Sequence, residues 1–103
     1  MLHPKIVQTT PSNHDDDVDK NLKEVVLEFD RPMDESYAFI SEYPELDYRD
    51  GYWKNSTTFC VQAKCALKSK TKYTIFINSP TRLYFKDKKG NFLLPTALTF
   101  TTN

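Results

Sequence analysis

A chain of 103 residues is close to the commonest size of a single domain and can bury one hydrophobic core. Its 14 basic residues balance 14 acidic ones and the pI is near 6.7, so no overall field draws it to nucleic acid or anionic lipid. No apolar run approaches the roughly 18–20 residues that span a bilayer, two cysteines are too few for a disulfide scaffold, and "MLHPKIVQTT" lacks the basic start and apolar stretch of a secretion signal.

In chain order, strand signals repeat and helix signals do not. "KIVQTT" is a short β-rich run ended by Pro11. The segment "PSNHDDD" that follows reads as a solvated acidic turn. "EVVLEFD" alternates, with Val25, Leu27 and Phe29 on one face and Val26, Glu28 and Asp30 on the other. "DRPMDES" then breaks the pattern with charge and a proline. A helical turn near Asp34 to Ala38 and a strand through "SYAFIS" both fit what comes next. "TTFCVQ" sets Phe59 and Val61 on one face and Cys60 on the other, with Cys65 in the loop beyond. "KYTIFIN" aligns Tyr73, Ile75 and Ile77, and "ALTFTT" aligns Leu98 with Phe100. The turn-rich stretches "KSKTK" and "KDKKGN" separate these runs. Period-2 alternation with polar residues between is what half-buried antiparallel strands require. Spacing of this order predicts an all-β sandwich or barrel rather than βαβ units.

Few residues suggest chemistry. The run Asp15, Asp16, Asp17 and Asp19 beside His14 is the strongest metal candidate, but it lacks the glycine and the carboxylate spacing of a calcium loop. Asp87, with three lysines nearby, is a weaker one, so no metal site and no cofactor are expected. His3 and His14 are the only histidines, and no nucleophile elbow, zinc-protease helix or glycine-rich phosphate loop is present, which argues against an enzyme. Lys64, Lys68, Lys70 and Lys72 read as a solvated edge. Asn55-Ser56-Thr57 matches the N-glycosylation pattern. The segment from Tyr37 to Trp53 holds six of the 14 aromatic residues (Tyr37, Phe39, Tyr43, Tyr48, Tyr52 and Trp53). It reads either as cover for the open end of a small core or as a surface for a sugar, a peptide or a neighbouring domain.

The ordered motifs resemble the bacterial Ig-like domains of S-layer and other surface proteins. Pro4, "IVQTT", Pro11, "SNHDDD" and Val18 match the opening of that family. "FDRPMD" (Phe29 to Asp34) matches its strand end and Pro-Met-Asp turn, and "TTFCVQAKCALKSKTKYTIFI" its later strand pair. Asp87, Gly90, Asn91 and "LTFTT" match its close. The long aromatic middle departs from most members and is closer to a Bacteroidetes-like variety; glycine is also scarce, with only Gly51 and Gly90.

The resemblance implies a single Ig-like antiparallel β-sandwich of about seven strands over residues 1–103. Because the chain begins almost at its first strand and ends on its last, it reads as a domain cut from a larger protein with Met1 added. In it Phe29 points into the core, Pro32 sits where ladder pairing stops because it has no N–H, and Met33 plugs the end of the core. A tyrosine placed like Tyr73 bonds its hydroxyl back to upstream backbone. The implied function is a non-catalytic structural spacer or protein-interaction module in an extracytoplasmic bacterial protein. Its partners would be neighbouring domains of the parent chain or a surface protein, without nucleic acid or membrane insertion. The alternative is a glycan- or peptide-binding module using Tyr37, Tyr43, Tyr48, Tyr52 and Trp53.

Overall fold

A computed structural model describes residues 3–35, 40–43, 48–63, 66–78, 80 and 83–103. Its strands are β1 (Ile6–Thr10), β2 (Asp15–Val18), β3 (Glu24–Phe29), β4 (Ile40–Tyr43), β5 (Tyr48–Asn55), β6 (Thr58–Ala63), β7 (Lys72–Ile77) and β8 (Thr96–Thr102). They form two four-stranded sheets, in the orders β1-β3-β6-β5 and β2-β8-β7-β4, and every pairing is antiparallel except β2 with β8. This is an all-β sandwich with Ig-like strand order.

The face assignments hold at every position. Val25, Leu27, Phe29, Phe59, Val61, Tyr73, Ile75, Ile77, Leu98 and Phe100 are all buried between the sheets. Registers such as Val25↔Val61, Leu27↔Phe59 and Ile75↔Leu98 stack apolar positions on shared inner faces. The acidic segment differs from expectation. Asp15–Val18 forms a strand, not a turn, because the chain crosses at Pro11 from the first sheet to the second and there runs parallel to β8. Its carboxylates are tolerated because the strand is short and at an edge, where only Val18 is buried.

An aromatic cluster closes one end of the core. The Phe85 ring lies 5.3 Å from Phe59, 5.8 Å from Phe29 and 6.1 Å from Trp53, centroid to centroid. Gly51, opposite Val61 on the inner face of β5, makes room for it: a β-carbon there would lie 2.5 Å from the Phe59 ring. Asn78 holds the chain that follows β7. With φ at 63°, it donates from Nδ2 to the carbonyls of Phe85 (2.9 Å) and Leu93 (2.8 Å) and accepts at Oδ1 from the Phe85 amide (2.8 Å). Asparagine tolerates this left-handed conformation because its short amide bonds locally.

Candidate functional site

The segment "EFDRPMDE" is a corner. After Phe29 the ladder stops at exposed Pro32, and Met33 is fully buried, its amide bonded to the Ser56 carbonyl at 2.7 Å and its backbone bridged to Asp87. The acids here hold backbone. Asp30 accepts from the Lys5 amide at 3.1 Å and from Arg31, whose guanidinium holds the Asp30 carboxyl below its ordinary pKa. Arg31 also reaches Asp87 at 3.2 Å and the His3 carbonyl at 3.1 Å.

Asp87, 3% exposed, is the hub of the loop before β8. Its Oδ1 accepts from the amides of Lys89 and Asn91, both at 2.9 Å, and its Oδ2 from the Asn91 side chain at 3.1 Å and from Arg31. Burial pushes this carboxyl up, but the Asn91, Arg31 and Lys89 donors together outweigh it and hold the pKa at about 2. A carboxylate so occupied has little capacity left for proton transfer or a cation. Among the described residues no group of three or more His, Cys, Asp or Glu side chains is placed to hold a metal ion.

The aromatic stretch divides. Tyr37 lies outside the described residues, as do Lys64 and Cys65. Tyr43 ends β4 in register with Thr74, and Tyr48 opens β5 in register with Ala63, on strands of different sheets. Tyr52 and Trp53 follow one another on β5 and therefore take opposite faces. Trp53 turns inward, 5.1 Å from Phe59 and 5.7 Å from Phe29, and its indole N–H is buried without a partner among the described residues.

Tyr52 faces out, 38% exposed, and donates its hydroxyl to Glu24 at 2.6 Å. Glu24 belongs to β3 and Tyr52 to β5, so the ring reaches across β6, where Cys60 is in register with Tyr52. This explains a feature that alternation alone could not show: Cys60 occupies an outer-face position yet is fully buried. The Glu24 carboxylate, then burial, push the Tyr52 hydroxyl well above the ordinary phenol range, and burial, then Glu24, raise the Cys60 thiol. Neither group is activated for nucleophilic chemistry.

Tyr73 makes the expected corner, its hydroxyl accepting from the Lys68 amide at 2.9 Å. Asn55 accepts at Oδ1 from the amide and hydroxyl of Thr57, both at 2.9 Å, and so shapes the β5–β6 turn.

Residues 2–102 match the family described as bacterial Ig-like domain. The chain belongs to that family. Solved structures similar to this Ig-like domain include CopC from Methylosinus trichosporium OB3b, at 19% identity and a TM-score of 0.70, covering 98% of this chain and 94% of that one. Another is the S-layer protein rSbsC(31-844), at 20% identity and a TM-score of 0.62, covering 99% of this chain and 14% of that one. The N-terminal part of the bacterial S-layer protein SbsC matches at 18% identity and a TM-score of 0.63, covering 99% of this chain and 24% of that one. At such identities the likeness is one of fold. The Ig-like domain spans about 14% of the length of the rSbsC(31-844) chain it matches. No curated protein matches it.

The residues that organise the site-bearing end are Asn78, Phe85 and Asp87. Of these only Asp87 carries a sequence signal, the aspartate ahead of a Gly-Asn turn. Asn78 ends the "KYTIFIN" run at a position the alternation turns outward, yet it is buried, and Phe85 sits outside any alternating run, so periodicity could not find them.

Proposed function

We propose that this Ig-like domain is a non-catalytic module of a larger extracytoplasmic bacterial protein, one that spaces and contacts neighbouring domains. The observation that carries the reading is the path of the chain. His3 lies at the Arg31 corner, where its carbonyl accepts from the guanidinium, while Asn103 lies at the other end, bonded to Val18 and Lys70. A polypeptide passing through therefore enters beside the Arg31 corner and leaves beside Val18 and Lys70, at opposite ends of the strands. Such a path sets two neighbours apart by a fixed distance. The carboxylates at the corner are occupied by backbone and Arg31, which supports a structural role over a chemical one.

Replacement tests it. In the full-length gene product, an unrelated Ig-like sandwich of equal length should restore the localisation and shape lost on deleting this domain, as read by cell fractionation and small-angle scattering. Failure of the replacement would show that this domain's own surface is needed. Recovery of the parent only from cytosol would refute the extracytoplasmic part.

A second reading assigns glycan or peptide recognition to the stretch Tyr37, Tyr43, Tyr48, Tyr52 and Trp53, and the exposure of Tyr52 supports it. It expects Tyr52→Ala to abolish binding on a glycan or peptide array with folding unchanged; an array with no ligand for the native domain removes it.

A further inference from the structure

β5 and β6 are joined by a two-residue turn, Ser56-Thr57, with Asn55 and Thr58 in register at its base. Asparagine suits this position because its side chain can bond the backbone two residues on. Here Oδ1 of Asn55 accepts from the Thr57 amide and from the Thr57 hydroxyl, each at 2.9 Å. The backbone of the turn is held from the other side. The Met33 amide donates to the Ser56 carbonyl at 2.7 Å, and the Phe29 amide donates to the Thr57 carbonyl at 2.8 Å. The hairpin tip thus rests on the Pro32-Met33 corner through its carbonyls, while Asn55 itself is exposed. No hydrogen bond among the described residues engages its Nδ2.

This amide differs from the others in the chain, which has six asparagines. Asn78 is buried and donates from Nδ2 to two carbonyls, and Nδ2 of Asn91 and of Asn103 each donates to an aspartate. Only Asn55 is followed two positions on by a serine or threonine, with no proline between. We propose that Asn55 is the acceptor of an N-linked glycan. The proposal rests on the extracytoplasmic reading of the domain, because this modification belongs to surface loops of exported chains.

The geometry prepares the reacting atom. A carboxamide nitrogen is a weak nucleophile because its lone pair is shared with the carbonyl. As it loses a proton, charge gathers on the carbonyl oxygen, and donors at that oxygen favour the charged form. Oδ1 of Asn55 already holds two such donors, both from Thr57. The co-reactants are a saccharide carried on a lipid diphosphate and the transferase that binds it. Nδ2 attacks the anomeric carbon and a nitrogen–carbon bond forms. The bond from that carbon to the diphosphate oxygen breaks, the diphosphate leaves with the electron pair, and the Nδ2 proton passes to a base of the transferase. The fold accommodates the product, since Oδ1 keeps both Thr57 bonds and the sugar extends from an exposed residue. The glycan would stand at the Pro32-Met33 end of the sandwich, where the chain enters.

The test takes the full-length gene product from its native host, separates cytosolic from exported protein, and reads the Asn55 peptide by tandem mass spectrometry. Exported protein should carry a saccharide mass on Asn55. Asn55→Asp and Thr57→Val should each lose it, and Thr57→Ser should retain it. The aspartate keeps the Oδ1 acceptor and so the turn, and removes only the attacking nitrogen. The valine keeps the Thr57 amide bond and removes only the hydroxyl. If one of these variants does not fold, the other carries the comparison. A bare Asn55 in exported protein overturns the proposal and leaves the extracytoplasmic reading standing. A saccharide mass that survives both substitutions also overturns it, since the sugar then sits elsewhere. Protein found only in the cytosol, with Asn55 bare, removes both readings together.

Discussion

Asn78 is where a single amide should matter most to stability. Replacing it with glycine keeps the left-handed backbone comfortable and removes only the side-chain bonds. The Phe85 carbonyl retains the Leu93 amide at 2.9 Å, but the Phe85 amide and the Leu93 carbonyl lose their partners inside a buried segment. Each orphaned group costs about 1–3 kcal/mol, so Asn78→Gly should destabilise by roughly 2–6 kcal/mol. Asn78→Ala should lose a further ~1–2 kcal/mol, because a β-carbon is strained at a φ of 63°. Asn78→Asp should be worse again: it keeps the acceptor for Phe85 but turns an oxygen towards two carbonyls. Against a total of about 5–15 kcal/mol these are large fractions, and the aspartate variant is expected to unfold at neutral pH. The assay is urea denaturation followed by fluorescence of Trp53, the only tryptophan, which packs in the aromatic cluster. The reasoning is refuted if Asn78→Gly lies within ~0.5 kcal/mol of the native domain, or if alanine is no worse than glycine.

Three further outcomes are expected. Gly51→Ala should cost about 1–3 kcal/mol by driving a methyl into the Phe59 ring, and Phe59→Leu in the same chain should recover part of the loss in a double-mutant cycle. Tyr73→Phe should cost about 1 kcal/mol and speed hydrogen exchange at the Lys68 amide, which loses its acceptor; unchanged exchange there would count against the corner bond. The Asp87 carboxyl is held at about 2, below its ordinary 3.8, so its contribution is complete above about pH 4 and is lost as the pH falls towards 2. Urea midpoints measured across that window should fall, and Asp87→Asn should be less stable at neutral pH with a flatter acid limb.

Much of the fold could be read from residue order alone. The inner faces of β3, β6, β7 and β8 follow from strict alternation, because each strand is half-buried and a shift of one residue would turn its whole apolar set to water. The corner at Pro32 was equally legible, since a residue without an N–H has to sit where a ladder ends. Strands β2 and β5 were not. "DDDV" and "YRDGYWKN" contain almost no apolar alternation, and they are strands because β8 and β6 offer edges that satisfy their backbones. The aromatic stretch was visible as composition, but its division was not: Tyr52 and Trp53 part because consecutive side chains on a strand face opposite ways. Cys60 is buried from above by a tyrosine two registers of sheet away from its anchor Glu24, and Asn78 becomes a keystone only when Phe85 and Leu93 fold back upon it. Periodicity records which face of one strand avoids water. Edge pairing, a ring laid across a neighbouring strand and an amide shared between loops depend on residues distant in sequence, and only the packed sandwich brings them together.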